Sequence, residues 1–250
     1  MQTPPTSRRL DELLVSRGFF ATRSRARDAV LRGTVRVNGA PAGKPGQTVA
    51  ETADLAVADP AREYVSRAAL KLVRGIEAFG FDPMGRTALD IGASTGGFTQ
   101  VLLERGAAHV IAIDVGRGQL RAELAGDPRV TSLEGLNARD LGPADLAGRV
   151  PDMIVCDVSF ISARLALPPA LGLAASGAQA VILVKPQFEV GREAIGKGGI
   201  VAPEQGRAAA EGLRQWLDDQ PGWRSVGLVE SPIAGGDGNR EFLLGGARDR

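Results

Sequence analysis

The chain has 250 residues and a mass of 26.0 kDa, of which 44% are hydrophobic and 24% charged; this balance excludes intrinsic disorder, and the length suits one full-sized domain with a small companion. Its longest aliphatic stretch, Ala180-Val181-Ile182-Leu183-Val184, is far short of the roughly 20 residues of a membrane span, and no apolar signal core opens the chain, so a cytoplasmic protein with no membrane partner is expected. A lone cysteine, Cys156, and a lone histidine, His109, exclude an internal disulfide and a thiolate or imidazole cluster, so no metal is expected.

The net charge of +1 conceals a division: from Arg8 to Lys44 nine Lys and Arg stand against three Asp and Glu, whereas residues 63–250 carry 20 basic against 23 acidic groups. A compact basic unit joined to a larger, near-neutral one is the pattern of a nucleic-acid-holding module attached to an enzyme. Ser7 is placed to cap a first helix with Leu10, Leu13 and Leu14 on one face and Gly18 at its end. Thr22 or Ser24 opens a second, with Ala26, Ala29 and Val30 inward, Arg23, Arg25, Arg27 and Arg32 largely outward, and Gly33 closing it. Thr34 to Val37 alternates as a strand, and Asn38-Gly39 supplies a tight turn. With Arg8 and Arg9, these guanidiniums match the spacing of RNA phosphates, although locally they also describe a solvated helix face. The ordered elements Arg9-Leu10-Asp11, Ser24-Arg25-Ala26-Arg27 and Gly33 to Gly39 resemble, over residues 8–55, the small RNA-binding domain named after ribosomal protein S-four. That resemblance implies RNA as partner.

Asp59-Pro60 breaks the preceding strand, which predicts domains at 1–59 and 66–250 with a linker at 60–65. A helix is expected from about Ser66 to Phe79, carrying Lys71. Beyond it, apolar β-branched runs alternate with helical segments: 87–91, 110–114, 130–133, 153–157, 180–185, 226–230 and 241–244. This predicts an α/β fold, a Rossmann-like sheet of seven strands covered on both faces. The last strand is predicted antiparallel, because only the glycine-rich turn 235–239 precedes it. Gly196 to Gly199 reads as a loop near the strand that ends at Lys185.

Ligands of such sheets sit beyond the carboxyl ends of the strands. The first strand ends in Asp90-Ile91-Gly92-Ala93-Ser94-Thr95-Gly96-Gly97-Phe98, whose glycine spacing departs from the dinucleotide fingerprint. The second ends at Asp114, followed by Val115, where a carboxylate can accept both ribose hydroxyls of an adenosine. Asp90, the loop Gly92, Ser94, Thr95, Gly96, Gly97 and Phe98, and Asp114 resemble the S-adenosylmethionine site of class I methyltransferases. Asn137, after the third strand, is a candidate adenine contact and equally a candidate turn or helix cap.

The acceptor atom is narrowed by what is absent. Asp157-Val158-Ser159-Phe160 lacks the prolines of the Asn/Asp-Pro-Pro-aromatic motif of amino-group methyltransferases, and Cys156, alternating with Asp157 in a strand, reads as an inert core thiol. A hydroxyl acceptor remains. Arginine cannot serve as a base near neutrality whereas lysine can, and of the 30 basic residues only Lys44, Lys71, Lys185 and Lys197 are lysines. Lys71, Asp157, Lys185 and Glu241 resemble the Lys-Asp-Lys-Glu tetrad of FtsJ-type ribose 2′-O-methyltransferases. Adding Tyr64-Val65-Ser66-Arg67 and Lys185-Pro186-Gln187-Phe188-Glu189, nearly the whole chain resembles the TlyA family of ribosomal RNA cytidine-2′-O-methyltransferases, historically called hemolysins. Ala68-Ala69 departs from that pattern, where a glycine is expected, and leaves the local helix start open.

The resemblance implies that Lys185 deprotonates or orients a ribose 2′-hydroxyl, that Lys71 opposes the charge on Lys185, and that Asp157 and Glu241 orient the pair, with S-adenosylmethionine as cofactor and ribosomal RNA or a ribosomal subunit as partner. The rival readings are a membrane-active cytolysin, a noncatalytic RNA-binding assembly factor and a base methyltransferase.

Overall fold

The structure, a computed structural model, describes residues 6–249; residues 1–5 and 250, included in the expected domains, lie outside the described residues. The chain divides into two compact units between Glu63 and Tyr64.

In the first unit, β1 (Ser7–Arg9) is followed by α1 (Leu10–Ser16), α2 (Arg23–Leu31), β2 (Val35–Val37), β3 (Ala40–Pro41), β4 (Thr48–Ala50) and β5 (Leu55–Val57), with a 3-10 turn at Pro60–Glu63. Ser7 is not a helix cap. It lies in β1, where it pairs with Ala50 of β4, and α1 begins only at Leu10 without a side-chain cap. Thr22 does cap α2, its Oγ1 accepting the Arg25 N–H at 3.3 Å. Asn38 and Gly39, both with positive φ, turn β2 into β3, as a two-residue hairpin requires. Leu10, Leu13, Leu14, Phe20, Ala26, Ala29, Val30 and Val35 form the core.

The second unit contains α3 (Ala69–Phe79), β6 (Thr87–Ile91), α4 (Gly97–Glu104), β7 (His109–Asp114), α5 (Ala122–Ala125), β8 (Val130–Glu134), β9 (Met153–Cys156), α6 (Ala163–Ala166), α7 (Pro168–Leu173), β10 (Gln179–Val184), α8 (Pro186–Glu189), α9 (Pro203–Asp218), β11 (Trp223–Glu230) and β12 (Phe242–Arg248). Helix α3 starts three residues later than expected, because Ser66 Oγ accepts the Ala68 N–H and makes a turn of residues 66–68. The sheet order is β11-β12-β10-β9-β6-β7-β8. All neighbours from β10 through β8 are parallel, and β12 runs antiparallel to both β10 and β11.

Alternate strand residues serve opposite faces. Leu89, Ile91, Ile111, Ile113, Ile154 and Ile182 pack beneath Leu167, Leu213 and Leu217, whereas Ala88, Val110, Met153, Val155, Val181 and Leu183 pack beneath Leu72, Ile76, Phe98 and Leu102. Burial on both sides is why these strands read as unbroken apolar runs. β11 and β12 extend beyond their predicted ends, to Trp223 and to Arg248, because Arg224 and Ser225 on one strand and Gly245, Gly246 and Ala247 on the other interrupt the apolar run.

Candidate active site

The antiparallel placement of β12 builds the site. Parallel strands β6, β9 and β10 finish at one edge of the sheet, and an antiparallel neighbour starts there: Val184, the last residue of β10, pairs with Phe242, the first of β12. The next residue outward on each strand is Lys185 and Glu241. Asp157 follows β9 at the same edge, one step beyond the Ile91–Cys156 pair. Lys71 arrives from α3. Gly75, one turn further along the same face, lies against Val181 of β10, and the helix thereby sits close enough for Lys71 Nζ to form an ion pair with Glu241 Oε2.

Both members of that pair are buried, Lys71 at 6% and Glu241 at 2% exposure. Burial raises the Glu241 carboxyl above its ordinary range, and Lys71 opposes the rise. Lys185 Nζ lies 2.6 Å from Asp157 Oδ1 and donates a hydrogen bond to Ser159 Oγ at 2.6 Å. The four side chains therefore form two lysine–carboxylate pairs, with Lys71 engaged by Glu241 and Lys185 by Asp157. The resemblance set Lys71 against Lys185 by charge and gave Asp157 and Glu241 the orienting of both; the structure pairs Glu241 with Lys71 and Asp157 with Lys185.

Asp157, Ser159 and Lys185 form one end of a cavity whose remaining wall is Ser66, Ala68, Gly92, Ala93, Ser94, Thr95, Gly97 and Phe98. At Gly92, with φ of 82°, a Cβ would stand 2.7 Å from the Asp157 carbonyl oxygen, so this turn admits only glycine and holds the loop against the tetrad. Gly96 and Gly97 serve the protein's own packing: their missing Cβ atoms make room for Leu120 and Leu124 and for Ser66. Phe98 is buried beneath the loop.

Asp114 clamps the loop from outside. Its Oδ2 accepts the Ser94 N–H at 2.8 Å and its Oδ1 the Gly116 N–H at 2.7 Å, which fixes Ser94 at a positive φ of 47°. Each oxygen keeps a second lone pair for a ribose hydroxyl. Val115 beside it is exposed. Glu134, which the sequence reading passed over, accepts the N–H groups of Gly118, Gln119 and Leu120, and these bonds hold its carboxyl below the usual range. Its position at the end of β8 was the available signal. Asn137 caps the short 3-10 helix Ala138–Asp140, its Oδ1 accepting the Arg139 N–H at 3.1 Å.

Asp90 is fully buried; Oδ2 accepts from Thr99 Oγ1 at 2.6 Å, while Oδ1 has no hydrogen-bond partner. Burial pushes its carboxyl up to about 7. Cys156 is buried in the core and its thiol is pushed up to about 12, so it offers no thiolate, and His109 opens β7 at the opposite edge. Among the described residues no group of three or more His, Cys, Asp or Glu side chains could hold a metal ion.

A second feature missed by the sequence reading is Phe160. It is 91% exposed, has φ of 65°, and its ring lies 5.4 Å from that of Phe188 at 50°. Its place in the position of the aromatic of Asp-Pro-Pro-aromatic sites was the clue.

The arginines of the first unit are mostly engaged internally. Arg8 pairs with Glu51; Arg9 and Arg23 share the buried carboxylate of Asp11; and Arg25 donates to the carbonyls of Ala61 and Arg62. Arg32 does not point outward: its side chain is 16% exposed and pairs at 2.7 Å with Asp59, whose buried carboxylate requires a counter-charge. Arg27 is exposed on α2.

A family model described as FtsJ-like methyltransferase matches residues 64–248, and one described as S4 domain matches residues 8–55. The 16S/23S rRNA (cytidine-2′-O)-methyltransferase TlyA of Mycobacterium tuberculosis is 49% identical over 94% of this chain and 88% of its own length. The chain belongs to the TlyA family of FtsJ-like methyltransferases. Hemolysin A of Brachyspira hyodysenteriae is 38% identical, covering 94% of this chain and 98% of that protein. A solved Streptococcus thermophilus structure given the provisional name hemolysin aligns with a TM-score of 0.74 at 40% identity, covering 99% of this chain and 90% of that one. Among the described residues no helix is long and apolar enough to cross a membrane.

Proposed function

We propose that this protein transfers the methyl group of S-adenosylmethionine to the 2′-hydroxyl of a cytidine ribose in ribosomal RNA, acting in the cytoplasm. One observation carries the reading: the Lys185–Asp157 pair lines a cavity walled by the glycine loop, and the buried Lys71–Glu241 pair stands behind it at the same sheet edge. The names of the methyltransferase relatives support the acceptor and the base.

The residues present suit the cofactor. The backbone of Gly92 to Thr95 walls the cavity, with the N–H groups of Gly92, Ala93 and Ser94 held by Ile113 and Asp114, while Asp114 keeps acceptor capacity for ribose hydroxyls and Asp90 Oδ1 is an unsatisfied acceptor behind the loop. Bound there, S-adenosylmethionine supplies a methyl group already activated on a sulfonium. Lys185 Nζ, once its own proton has left to solvent, takes the proton of the attacking 2′-hydroxyl, and Asp157, 2.6 Å away, stabilises the ammonium that forms. Ser159 holds Nζ from the other side and fixes its direction. Lys71 and Glu241 supply a buried dipole that keeps the pair in place. Positioning provides much of the acceleration.

Phe160 offers an exposed ring at this rim on which an unstacked base can lie, and Phe188 backs it. Residues 1–59 hold the RNA, through Arg27 above all, 60–65 link the units, and 66–250 carry out the chemistry. The test is incubation of the protein with labelled S-adenosylmethionine and ribosomal subunits from a strain lacking this gene, followed by mass spectrometry of the released nucleosides. Appearance of 2′-O-methylcytidine is expected; label in a base, or none, would overturn the reading.

A further inference from the structure

We infer that Glu189 is a positioning residue for RNA, holding the segment after β9 in the one shape that keeps the Phe160 ring outward. The inference rests on the reading above, in which that ring receives the acceptor base.

Two segments run side by side at the sheet edge, residues 157–163 after β9 and 185–189 after β10. They are fastened at both ends. At the first, Lys185 Nζ meets Asp157 and Ser159. At the second, Ser162 Oγ donates to Glu189 Oε2 at 2.6 Å and the Ala163 N–H donates to Oε1 at 2.7 Å. Phe160 stands between the two fasteners, and its left-handed φ is one that a bulky side chain keeps only when its surroundings impose it. On its N-terminal side Ser159 is held by the catalytic lysine. On its C-terminal side the side-chain anchor is Glu189.

Glu189 is also costly for a simple helix cap. Its side chain is 3% exposed with Arg164 Nε at 3.8 Å, and burial raises its carboxyl above the ordinary range. The helix whose first N–H it accepts, α6, has four residues and already carries Ser162 as its cap. Burying a carboxylate for so short a helix makes sense if what it secures is the segment before it. The arrangement links the geometry of the proton acceptor to that of the base platform, since Lys185 and Glu189 are the two ends of one short turn.

The experiment compares Glu189→Ala, Glu189→Gln, Phe160→Ala and the Glu189→Ala/Phe160→Ala double variant in the full chain, measuring kcat and KM for ribosomal subunits with labelled S-adenosylmethionine, and cofactor affinity by calorimetry. Glu189→Ala is expected to lower kcat/KM for subunits about tenfold, the scale of one lost base–aromatic stack, with cofactor affinity unchanged. Glu189→Gln is expected to restore near-normal values, because its amide can accept from Ala163 and donate to Ser162. In the Phe160→Ala background, Glu189→Ala is expected to add no further loss. Additive losses, a fall in cofactor affinity, or a Gln variant as poor as the Ala variant would overturn the inference. Should Glu189→Ala not fold, Ser162→Thr keeps the hydroxyl cap of α6 while crowding its bond to Glu189, and a partial loss that vanishes in the Phe160→Ala background is expected; its persistence there would overturn the inference equally. Phe160→Ala alone turning over at the full rate would overturn the stacking reading itself, whereas an impaired Phe160→Ala with additive Glu189 losses would overturn the role of Glu189 alone.

Discussion

Gly75 lies so close to Val181 that a Cβ on the glycine would stand 2.5 Å from Val181 Cγ1. The contact sets how near α3 comes to the sheet, and Lys71 is one turn away on the same helix face. Gly75→Ala should therefore cost about 1–3 kcal/mol by overpacking, less about 1 kcal/mol regained in helix propensity, and should lower methyl transfer by moving Lys71. Urea unfolding and turnover measure the two effects. Adding Val181→Ala should restore turnover more than it restores stability; no recovery of turnover would separate the glycine from the placement of Lys71.

Lys185→Ala removes the group placed to take the hydroxyl proton. Methyl transfer should fall by about 10²- to 10⁴-fold, the usual range for a lost general base, while calorimetry shows cofactor affinity largely retained. Turnover within a few fold of the parent would remove Lys185 from the chemistry.

Asp90 links stability to pH. Its carboxyl is at about 7 in the folded chain against an ordinary 3.8, so between about pH 4 and pH 7 the folded state binds the extra proton. Stability from this group is fully present below pH 4 and is lost as pH rises through 7. Asp90→Asn keeps an acceptor for Thr99 and cannot ionise. Its melting temperature should match the parent near pH 4, rise above it as the pH increases, and level off above 7, while cofactor binding weakens. A constant difference across this range would mean that the carboxyl titrates normally.

The arginines of the first unit should separate by role. Arg27→Glu should weaken binding to ribosomal subunits and reduce the slope of log affinity against log salt by about one or two contacts, leaving the melting temperature unchanged. Arg32→Ala should act on stability instead, by about 3 kcal/mol, because it strands the buried Asp59 carboxylate. Binding titrations at several salt concentrations and thermal melts distinguish the two.

Sequence alone carried the sheet well, because strands buried on both faces must be continuous apolar runs; lysine scarcity drew attention to Lys71 and Lys185, and the resemblance to the FtsJ-type tetrad added Asp157 and Glu241. It placed the first helix cap wrongly. Nothing local distinguishes a serine that caps from one in a two-residue-distant strand whose partner, Ala50, lies 43 positions along the chain. The pairing of Lys71 with Glu241 depends on a separation of 170 residues and on strand register, which periodicity does not encode. Arg32 was misread for a similar reason: its partner Asp59 is 27 residues away. Phe160 was visible in the motif at 157–160, but its backbone angle and exposure, which set it apart, are not written in residue type.

The position of β12 bears on when the protein becomes active. This strand is made after every other member of the sheet, yet it lies inside the order, between β10 and β11, and it brings Glu241. Until residues 242–248 have been made, β11 lacks its one neighbour in the sheet and β10 lacks one of its two. A chain not yet extended to Glu241 therefore holds Lys71 without its buried carboxylate, and the catalytic edge is complete only once this last strand of the sheet is present.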